Sequence, residues 1–386
     1  MNVLFLSPAF PPNAYLYCTA LAERGITVLA IGDEPPEALR SELRAALTEY
    51  VFAPAMGEYA VLHKAVAALV RRHGPIDRLD SNGEHWLEAE GRLRDDFGVF
   101  GLSGADVRRH RSKLAMGERF AAAGIATPPI VRNDSEHVVR RFAERHGFPL
   151  VFKPDAGSGA ADTFAVHGEQ ELARVLATPR PELVVQPFIA GEIVTFDGLV
   201  DRDGHIVFCS SHAYDNGIMQ VREGRLDGHY YSLRTIPPEL DAHGRAAVAA
   251  FELRERFFHV EFFVRADGSL VALEMNVRPP GGFTTDMMGM ACDIDVYALW
   301  AAMLGGESLT DFDYERKYHV AHAGRRNDRA YREPLAALVA ELGATLASIR
   351  EVPEAFAVTM GDVACLLRHS ELESLRAAIA RVQALA

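Results

Sequence analysis

The sequence has few cysteines, and none of them are close together. Four cysteines occur among 386 residues, at positions Cys18, Cys209, Cys292 and Cys365. A zinc knuckle or a redox pair needs cysteines at short spacing, and a disulfide framework is typical of much smaller chains. The sequence therefore predicts four unpaired thiols in the reducing environment of the cytoplasm.

Long apolar runs are absent as well. No segment approaches the roughly 18–20 consecutive apolar residues that a membrane-spanning helix requires. The N-terminal segment MNVLFLSPAFPP has no basic residue before its apolar part and is interrupted by prolines. We therefore interpret this segment as a buried strand and not as a signal peptide.

An excess of positive charge is also missing. Asp and Glu (53 residues) outnumber Lys and Arg (40 residues), which gives a net charge of -13. Nucleic acids and anionic membranes bind basic surfaces, so the sequence predicts neither as a partner. An anionic small ligand needs only a local basic pocket, and the composition leaves that open.

What is present is the composition of a globular protein, with 49% hydrophobic and 24% charged residues. The apolar run Val3–Leu6, a helical pattern over Tyr15–Arg24 and a second apolar run Ile26–Ile31 predict a βαβ unit in a parallel sheet. A dinucleotide-binding domain would have Gly-x-Gly-x-x-Gly after the first strand, but the sequence there is SPAFPPNAY. Dinucleotide binding at this end is therefore disfavoured.

Farther along, the pattern changes to strands and hairpins, from Pro149 to about Asn276, with a helix near Asp241–Arg256. Before this region, Asn133-Asp134-Ser135 is expected to cap a helix that buries a stripe formed by Val138, Val139 and Phe142. The segment after Asp311 combines a strand signal with helical stretches.

The strongest signal is a predicted hairpin, HVEFFVRADGSLVALEMNVR, that contains two glutamates. Asp267-Gly268 favours a two-residue turn, and such a turn pairs Glu261 with Glu274 and His259 with Asn276 on one face. The opposite face is expected to be wholly apolar, with the cross-strand pairs Phe262–Leu273 and Val264–Val271.

Carboxylates that face each other across antiparallel strands repel and destabilise the sheet. The pair is tolerated if a cation lies between the two groups or if one of them is protonated. Oxygen ligands from Glu261, Glu274 and Asn276 suit a hard ion such as Mg2+, which takes further ligands from nucleotide phosphates. The alternative is an exposed acidic face with both side chains in water, and the hairpin alone does not decide between them.

Two further segments carry candidate ligands for a nucleotide. In LVFKPDAGSGAADTF a predicted strand carries Lys153, and the glycine-containing loop 156–161 that follows lets backbone N–H groups approach phosphate oxygens. In LVVQPFIAGEIVTFDGLV, backbone groups of Gln186–Ile189 suit an adenine edge, and a new strand carries Glu192. Taken alone, this last segment is explained better by ordinary sheet packing.

In this order, Lys113 on a helix, Lys153 before a glycine loop, residues 186–192, and Glu261 with Glu274-x-Asn276-x-Arg278 resemble the ATP-grasp superfamily. The resemblance covers about residues 101–310. It implies an α/β protein with an α+β core, in which a small parallel-sheet βαβ domain precedes the ATP-grasp fold. The domains that it implies are 1–105, 106–310 with a mobile lid at about 127–186, and a C-terminal α/β subdomain at 311–386 that packs on the core.

The resemblance also implies which residues bind the nucleotide. Lys113 and Lys153 hold the phosphates of ATP, and Ser158 and Gly159 lie on the lid above them. The adenine and ribose contacts implied are Gln186, the backbone of Phe188 and Ile189, and the side chain of Glu192. Many relatives continue this loop as Gly-Ser-Gly-Ser-x-Gly, whereas Asp162 stands where the last glycine would be, so the detailed contacts of the lid differ.

The metal and the chemistry follow from the same resemblance. Glu261, Glu274 and Asn276 bind one or two Mg2+ ions, which Mn2+ can replace, and Arg278 with Lys153 acts on the transferring phosphate. The family activates a carboxylate as an acyl phosphate, which a nucleophile, commonly an amine, then captures. This chemistry relies on positioning and charge neutralisation and needs no side-chain nucleophile.

The residues after Arg278 distinguish between branches of the family. Biotin carboxylases continue with Ile-Gln-Val-Glu, whose polar side chains handle bicarbonate, whereas this chain has Pro279, Pro280, Gly281 and Gly282. This stretch resembles the Arg-x-x-Gly-Gly of ligases that join amino acids, with Gly281 and Gly282 leaving room for a substrate carboxylate. The sequence thus favours a carboxylate–amine ligase for small acids. The alternatives are a carboxylase, a phosphotransferase that releases the acyl phosphate, and a non-catalytic ATP-binding scaffold or sensor.

The substrate contacts are less specific in the sequence. Glu84 follows a predicted strand and is a candidate for the substrate's amino group, although an acid favoured by a helix N-terminus explains it equally well. Residues 229–231 (His-Tyr-Tyr) are expected in a loop between strands that lines the pocket or simply packs. Homodimers are common in the family, so the resemblance implies that a homodimer can form.

Overall fold

Three β-sheets organise the part of the chain that the structure, a computed structural model, describes, namely residues 1–157, 162–178, 180–215, 221 and 226–386. Two sheets have four strands and the third has nine, and helices cover their faces. Only the first sheet is parallel, which agrees with the prediction of a parallel domain before a mixed α+β core.

The N-terminal sheet has the strand order β3-β2-β1-β4. Its elements are β1 (Asn2–Leu6), α1 (Tyr15–Glu23), β2 (Thr27–Gly32), α2 (Ser41–Ala46), β3 (Glu49–Phe52), α3 (Tyr59–His73) and β4 (Arg78–Asp80). The first strand is apolar throughout because both of its faces are buried. Val3 and Phe5 pack into one core, and Leu4 and Leu6 pack into another on the opposite face.

A helical segment connects this sheet to the next one. It consists of a short 3-10 helix (Glu84–Trp86), α4 (Leu87–Phe97), α5 (Gly104–Arg111) and α6 (Lys113–Ala122). α5 begins with a capping box in which Ser103 and Asp106 satisfy each other's backbone N–H groups. α6 starts two residues after α5 ends, and this places Lys113 at its first position.

The second sheet is antiparallel, with the order β5-β8-β6-β7. Its elements are β5 (Val131–Arg132), α7 (Glu136–His146), β6 (Leu150–Pro154), β7 (Phe164–Val166), α8 (Glu169–Leu176) and β8 (Leu183–Pro187). α7 buries Val139, Phe142 and Ala143, whereas Val138 is 41% exposed. The prediction that Val138 belongs to the buried stripe was therefore wrong, because the stripe is centred on the i, i+3, i+4 set that starts at Val139.

The third sheet is antiparallel and continues to the end of the chain. Its main path is β14-β13-β9-β11-β12-β15-β17-β16, and β10 pairs with β9. Its strands are β9 (Glu192–Val200), β10 (Ile206–Ser210), β11 (His212–Tyr214), β12 (His229–Ser232), β13 (Arg256–Val264), β14 (Leu270–Asn276), β15 (His319–Arg325), β16 (Leu346–Glu351) and β17 (Val363–His369). Residues 229–231 thus form a strand, and their expected position in a loop was wrong.

Six helices accompany this sheet within the described residues. They are α9 (Pro238–Ala250), α10 (Thr284–Cys292), α11 (Val296–Leu304), α12 (Leu335–Leu342), α13 (Glu354–Met360) and α14 (Leu372–Val382), with a 3-10 turn at Gly343–Thr345. The helix expected near Asp241–Arg256 starts three residues earlier and ends at Ala250. The C-terminal strands β15, β17 and β16 join the core sheet itself and do not form a sheet of their own. The domain boundaries remain an interpretation of the sequence.

The β13–β14 hairpin pairs Glu261 with Glu274 and His259 with Asn276, as predicted. Its turn differs from the expected two-residue turn, because Arg265 and Ser269 close a three-residue loop, with the Arg265 N–H donating to the Ser269 oxygen at 3.0 Å, and Gly268 within the loop has φ +83°. The pairs nearest the turn are therefore Phe262–Ala272, Phe263–Val271 and Val264–Leu270, and the predicted pairs Phe262–Leu273 and Val264–Val271 were wrong. A β-bulge after Glu261 restores the predicted register at the glutamates.

The parallel sheet and the large sheet share one hydrophobic core. Phe5 lies 6.3 Å from Trp300 of α11 between ring centroids, and Tyr17 of α1 lies 6.1 Å from Phe257 of β13. Leu366 of β17 belongs to the same buried cluster. Because these residues come from the first, middle and last parts of the chain, the sequence folds as one packed unit around the glutamate hairpin.

Two absences predicted from the sequence can be compared with the described residues. All four cysteines are buried free thiols. No single helix in the described ranges is long and apolar enough to cross a membrane. Helices α10 and α11 together have the necessary length and apolar composition, but they are bent by 100° relative to each other.

Candidate active site

The face of the large sheet that carries the glutamates is a small grid of polar side chains. One row across β14, β13 and β9 is Asn276, His259 and Asp197, and the neighbouring row is Glu274, Glu261 and Thr195. Residues two apart on a strand share a face, so all six side chains point to the same side. The opposite face is apolar, as predicted, and packs in a core that includes Phe196, Phe258 and Val260.

The surroundings of the two facing glutamates shift their pKa values in opposite directions. Burial raises the pKa of Glu274, and the charge of Glu261 raises it further, while Lys113 opposes both. Burial also raises the pKa of Glu261, but the hydrogen bond and charge of His259, with the charges of Arg278 and Lys153, outweigh it and hold the pKa below its ordinary value. Glu274 therefore takes up a proton more readily than Glu261, and a further cation beside it would favour its charged form.

Lys113 is placed at this pair by an aspartate that the sequence analysis did not identify. The carboxylate of Asp155 accepts hydrogen bonds from the Leu114 N–H (3.0 Å) and the Ser112 hydroxyl, and its backbone oxygen accepts from the Lys113 N–H (2.9 Å). The N-terminus of α6 is thereby fixed to the end of β6. Lys113 Nζ then donates to the Gly157 oxygen (2.9 Å) and lies 3.6 Å from Glu274 Oε1.

Lys153 lies on β6 and is almost completely buried, with 8% of its surface exposed. Burial lowers the pKa of its ammonium to about 8, against the opposing charges of Glu274 and Glu261, and Lys113 lowers it further. Gln186 lies on the same face of this sheet, because Val151 pairs with Gln186 and residues two apart share a face. Both side chains are buried and lie on the side of the sheet from which Lys153 reaches the glutamates.

The strand end expected to face adenine is open to solvent. Phe188 is 47% exposed and Glu192, the first residue of β9, is also exposed. The Phe188 N–H donates to the Pro149 oxygen at 2.9 Å, so this donor is already used in the sheet. Ile189 follows in the connection between β8 and β9. Gln186 lies near the end of β8, Phe188 and Ile189 follow in the connection, and Glu192 begins β9, so their contacts with adenine and ribose remain predictions.

The lid loop falls mainly outside the described residues, and Ser158 and Gly159 both lie there. On its two sides, Gly157 has φ +137° and Asp162 has φ +53°. The left-handed conformation of Asp162 explains how an aspartate stands where relatives have glycine, since Asp tolerates that region better than most residues.

Arg278 is joined to the N-terminal part of the chain through Glu84. Arg278 Nε donates to Glu84 Oε2 at 3.2 Å, and Arg111 Nε donates to Glu84 Oε1 at 3.0 Å. Arg278 also donates to the Pro279 oxygen at 2.8 Å. Glu84 is thus held between Arg111 and Arg278, and it positions Arg278. Its contact with the substrate remains a prediction.

The two glycines after Arg278 have different surroundings. A side chain at Gly281 would meet nothing within 4 Å, so space is available there. At Gly282, which has φ +64°, a Cβ atom would overlap with the Met360 side chain of α13. The expectation that both glycines leave room was therefore wrong for Gly282, because a methionine from the C-terminal segment occupies its space.

The expected pocket residues on β12 are held by packing. Tyr230 stacks between Tyr214 (4.8 Å between centroids) and His322 (5.2 Å), and its hydroxyl contacts the Thr284 hydroxyl at 2.9 Å. The Tyr231 hydroxyl donates to Asp215. This stack forms an aromatic wall beside the polar grid.

A buried network behind Glu261 was also missed by the sequence analysis. His259 contacts Glu261 Oε1 through Nε2 at 3.1 Å and Asp197 Oδ1 through Nδ1 at 2.5 Å. Asp197 is fully buried and also contacts His212 Nδ1 at 2.7 Å. Burial lowers the pKa of His259, but Asp197 and Glu261 outweigh it and raise the pKa to about 9. The only signal in the sequence was the position of His259 opposite Asn276.

The donor set of the grid fits Mg2+. Two carboxylates and one amide oxygen from Glu261, Glu274 and Asn276 are hard oxygen ligands on one face. Burial and the charge of Glu261 raise the pKa of Glu274, and a divalent ion would relieve the repulsion between the two carboxylates. The neighbouring lysines supply charge for phosphates next to the ion.

Comparisons with known proteins identify similar proteins and a matching domain. A family model described as an ATP-grasp domain matches residues 110–282. The L-arginine-specific L-amino acid ligase of Bacillus subtilis is 23% identical over 252 residues, which is 62% of this chain and 60% of that protein. The match therefore spans less than two thirds of the length of this curated relative.

Solved structures show the fold over nearly the whole chain. The L-amino acid ligase from Bacillus licheniformis has a TM-score of 0.74 at 15% identity, covering 97% of this chain and 95% of that chain. The biotin carboxylase domain of the 2-oxoglutarate carboxylase from Hydrogenobacter thermophilus, in complex with MgADP, ADP and bicarbonate, has a TM-score of 0.73 at 17% identity, covering 97% and 87%. The segment that matches the ATP-grasp domain contains both lysines and the glutamate pair, and the chain is similar in fold to ATP-grasp ligases over nearly its whole length.

Proposed function

We propose that this protein is an ATP-dependent carboxylate–amine ligase that activates a small acid, such as an amino acid, as an acyl phosphate and couples it to an amine, releasing ADP and phosphate. The observation that carries the proposal is the convergence of two buried lysines, Lys113 of helix α6 and Lys153 of strand β6, on the facing carboxylates of Glu261 and Glu274. Such a cluster of alternating charge suits a polyphosphate with its metal ions.

Each residue has a task that follows from its position. Lys153 and Lys113 would neutralise the phosphates of ATP, and the buried position of Lys153 strengthens its attraction to an anion because little water screens it. Arg278, held by Glu84, would bind the oxygen of the transferring phosphate or of the acyl phosphate. Its planar group donates several hydrogen bonds in a fixed geometry, which a lysine cannot reproduce.

Glu261, Glu274 and Asn276 would hold one or two Mg2+ ions. When bound, the metal supplies charge neutralisation and orientation of the phosphate oxygens. No side chain needs to act as a covalent nucleophile in this scheme, since the carboxylate of the acid attacks the phosphoryl group and the amine attacks the acyl carbon.

An amine acceptor is favoured over bicarbonate by the residues after Arg278. The main chain there has prolines and glycines in place of polar side chains, and space is available at Gly281. A carboxylase would need donors for bicarbonate at these positions. The proposal therefore assigns the space beside Arg278 and Gly281 to the carboxylate of an organic acid.

The test is ADP release by the purified protein with ATP and Mg2+, measured against amino acids singly and in pairs and against bicarbonate. We expect release to require an acid together with an amine, and mass spectrometry should show a product with the summed mass of the two substrates minus one water. Hydroxylamine in place of the amine should trap the acyl phosphate as a hydroxamate. Glu274→Gln, prepared in parallel, should give only background release.

Each alternative has its own signature in this assay. Release with the acid alone, and an acyl phosphate as the final product, would identify a phosphotransferase. Stimulation by bicarbonate and not by amines would identify a carboxylase. ATP binding without turnover for any acid would identify a scaffold or sensor.

The location and assembly of the protein are further parts of the proposal. A supply of ATP and four unpaired cysteines suit the cytoplasm. The substrates are expected to be small molecules, and the expected homodimer can be checked by light scattering on the eluting protein.

A further inference from the structure

His259 bridges two carboxylates on the polar face of the large sheet. Its Nε2 atom lies 3.1 Å from Glu261 Oε1, and its Nδ1 atom lies 2.5 Å from Asp197 Oδ1. His259 and Glu261 are two residues apart on β13, and Asp197 is the cross-strand partner of His259 on β9. The imidazole is a rigid ring with one nitrogen used at each end, so the position of the Glu261 carboxylate is tied to that of Asp197.

Asp197 is itself held from several sides. It has no exposed surface, and in addition to His259 its carboxylate contacts the Thr195 hydroxyl and His212 Nδ1 (2.7 Å). His212 is also fully buried, and its backbone N–H donates to the Thr195 hydroxyl at 3.1 Å. Asp197 is therefore a fixed anchor, because any movement would separate several buried polar contacts.

The two facing glutamates differ in this respect. Within the described residues, Glu261 has a hydrogen-bonded partner on its own strand, and that bond uses Oε1. Glu274 has an ion pair with the Lys113 side chain at 3.6 Å and no hydrogen-bonded neighbour of this kind on its own strand within the described residues. Glu261 is thus oriented before any ligand binds, because its Oε1 atom is bonded to His259, whereas Glu274 has only its ion pair with Lys113.

We infer that His259, anchored by Asp197, is a positioning residue that fixes Glu261 as a metal ligand. This inference rests on the proposed function, since it assigns a role within the same site. Groups that orient a metal ligand typically change metal affinity about 10–100-fold when they are removed. A purely structural pair would need only the His259–Asp197 contact, and the additional bond to Glu261 connects the buried network to the site.

The test measures Mn2+ binding to the protein in the presence of saturating ADP, by the loss of the free Mn2+ signal in electron paramagnetic resonance. Wild type is compared with His259→Ala and His259→Gln, which keeps an amide donor toward Glu261. We expect His259→Ala to weaken Mn2+ binding at least about tenfold and His259→Gln to recover part of that loss. ADP binding in EDTA should stay within about twofold of wild type, and any loss of turnover should be restored by raising Mg2+.

The matched control is His322→Gln. His322 is also buried, but it contacts the Met360 oxygen and the Tyr230 ring and none of the network residues. The Mn2+ affinity of His322→Gln should therefore equal that of wild type. Thermal melting confirms that each variant is folded, and His259→Gln carries the test if His259→Ala does not fold.

Three outcomes would overturn the inference. Folded His259 variants that bind Mn2+ as tightly as wild type would refute it while leaving the proposed function intact. An equal loss in His322→Gln would show that the effect is general to buried histidines. A wild-type protein that binds ADP but no Mn2+ would refute the proposed metal site and this inference together.

Discussion

Glu274 lies directly across the hairpin from Glu261, and Lys113 Nζ lies 3.6 Å from its Oε1 atom. This carboxylate is therefore repelled from one side and attracted from the other. Burial and Glu261 raise its pKa, and Lys113 only partly offsets them. The balance leads to the first prediction.

Glu274→Gln keeps the shape of the side chain and removes its charge. We expect turnover to fall by about 10^2–10^3-fold, because a preorganised charge at the reacting phosphate is lost. The free energy of unfolding should change by less than about 1 kcal/mol, since relief of the repulsion from Glu261 offsets the weaker pairing of Lys113. The measurements are ADP release and urea unfolding. Glu351→Gln on the exposed edge strand is the control, and unaltered turnover in Glu274→Gln would contradict the metal site.

The pH dependence of nucleotide binding tests Lys153. Burial lowers the pKa of its ammonium to about 8 in the ligand-free protein, so Lys153 is charged below pH 8 and loses its charge above it. ADP affinity, measured by calorimetry in EDTA, should therefore weaken by up to about tenfold between pH 7 and pH 9. Lys153→Gln should bind more weakly at pH 7 and lose most of this dependence. A wild-type affinity that is flat across this range would show that Lys153 does not contact the phosphates.

Arg278→Lys retains the charge and removes the fork of donors. We expect kcat to fall about 10^2-fold while ADP affinity changes less than about threefold, because the residue acts on the transferring group and not on ground-state nucleotide binding. Steady-state kinetics and calorimetry measure the two quantities. Arg245→Lys, in an exposed pair with Asp241, is the matched control. Equal losses in kcat and in ADP affinity would place Arg278 on the nucleotide instead.

Gly282→Ala tests the close approach of Met360. The alanine would have φ +64° and its Cβ atom would overlap with Met360, so we expect a loss of about 1–2 kcal/mol in the free energy of unfolding. Gly281→Ala is the control, because nothing lies within 4 Å of its Cβ position. Urea unfolding compares the two. Equal stability of both variants would mean that Met360 does not pack on Gly282.

Local patterns in the sequence were sufficient for the hairpin and its glutamate pair. The pairing of Glu261 with Glu274 was predicted correctly, although the assumed two-residue turn was wrong, because a three-residue turn and a bulge after Glu261 compensate each other. Counting residues along the sequence shows only the combined effect of the turn and the bulge on the strand register. It does not show where each of the two shifts occurs. The apolar pairs nearest the turn were therefore displaced by one residue.

Contacts between distant segments were not predictable in the same way. Asp155 fixes Lys113 from 42 positions away, and Met360 fills the space at Gly282 from 78 positions away. Asp197 reaches His259 only because β9 and β13 are neighbours in the sheet. Such contacts depend on topology, and a single sequence carries no periodicity that reports them.

The path of the large sheet has a consequence for what can fold alone. The segment 110–282 that matches the ATP-grasp family contains β12, but the partner of that strand on its outer side is β15, which lies beyond the match. The same excision would remove Trp300 and Phe5 from around Phe257. A truncated protein with only residues 110–282 would have an unpaired edge at β12 and an incompletely packed hydrophobic core. Such an exposed strand edge favours self-association. The smallest part of this protein that can fold alone is therefore nearly the entire polypeptide.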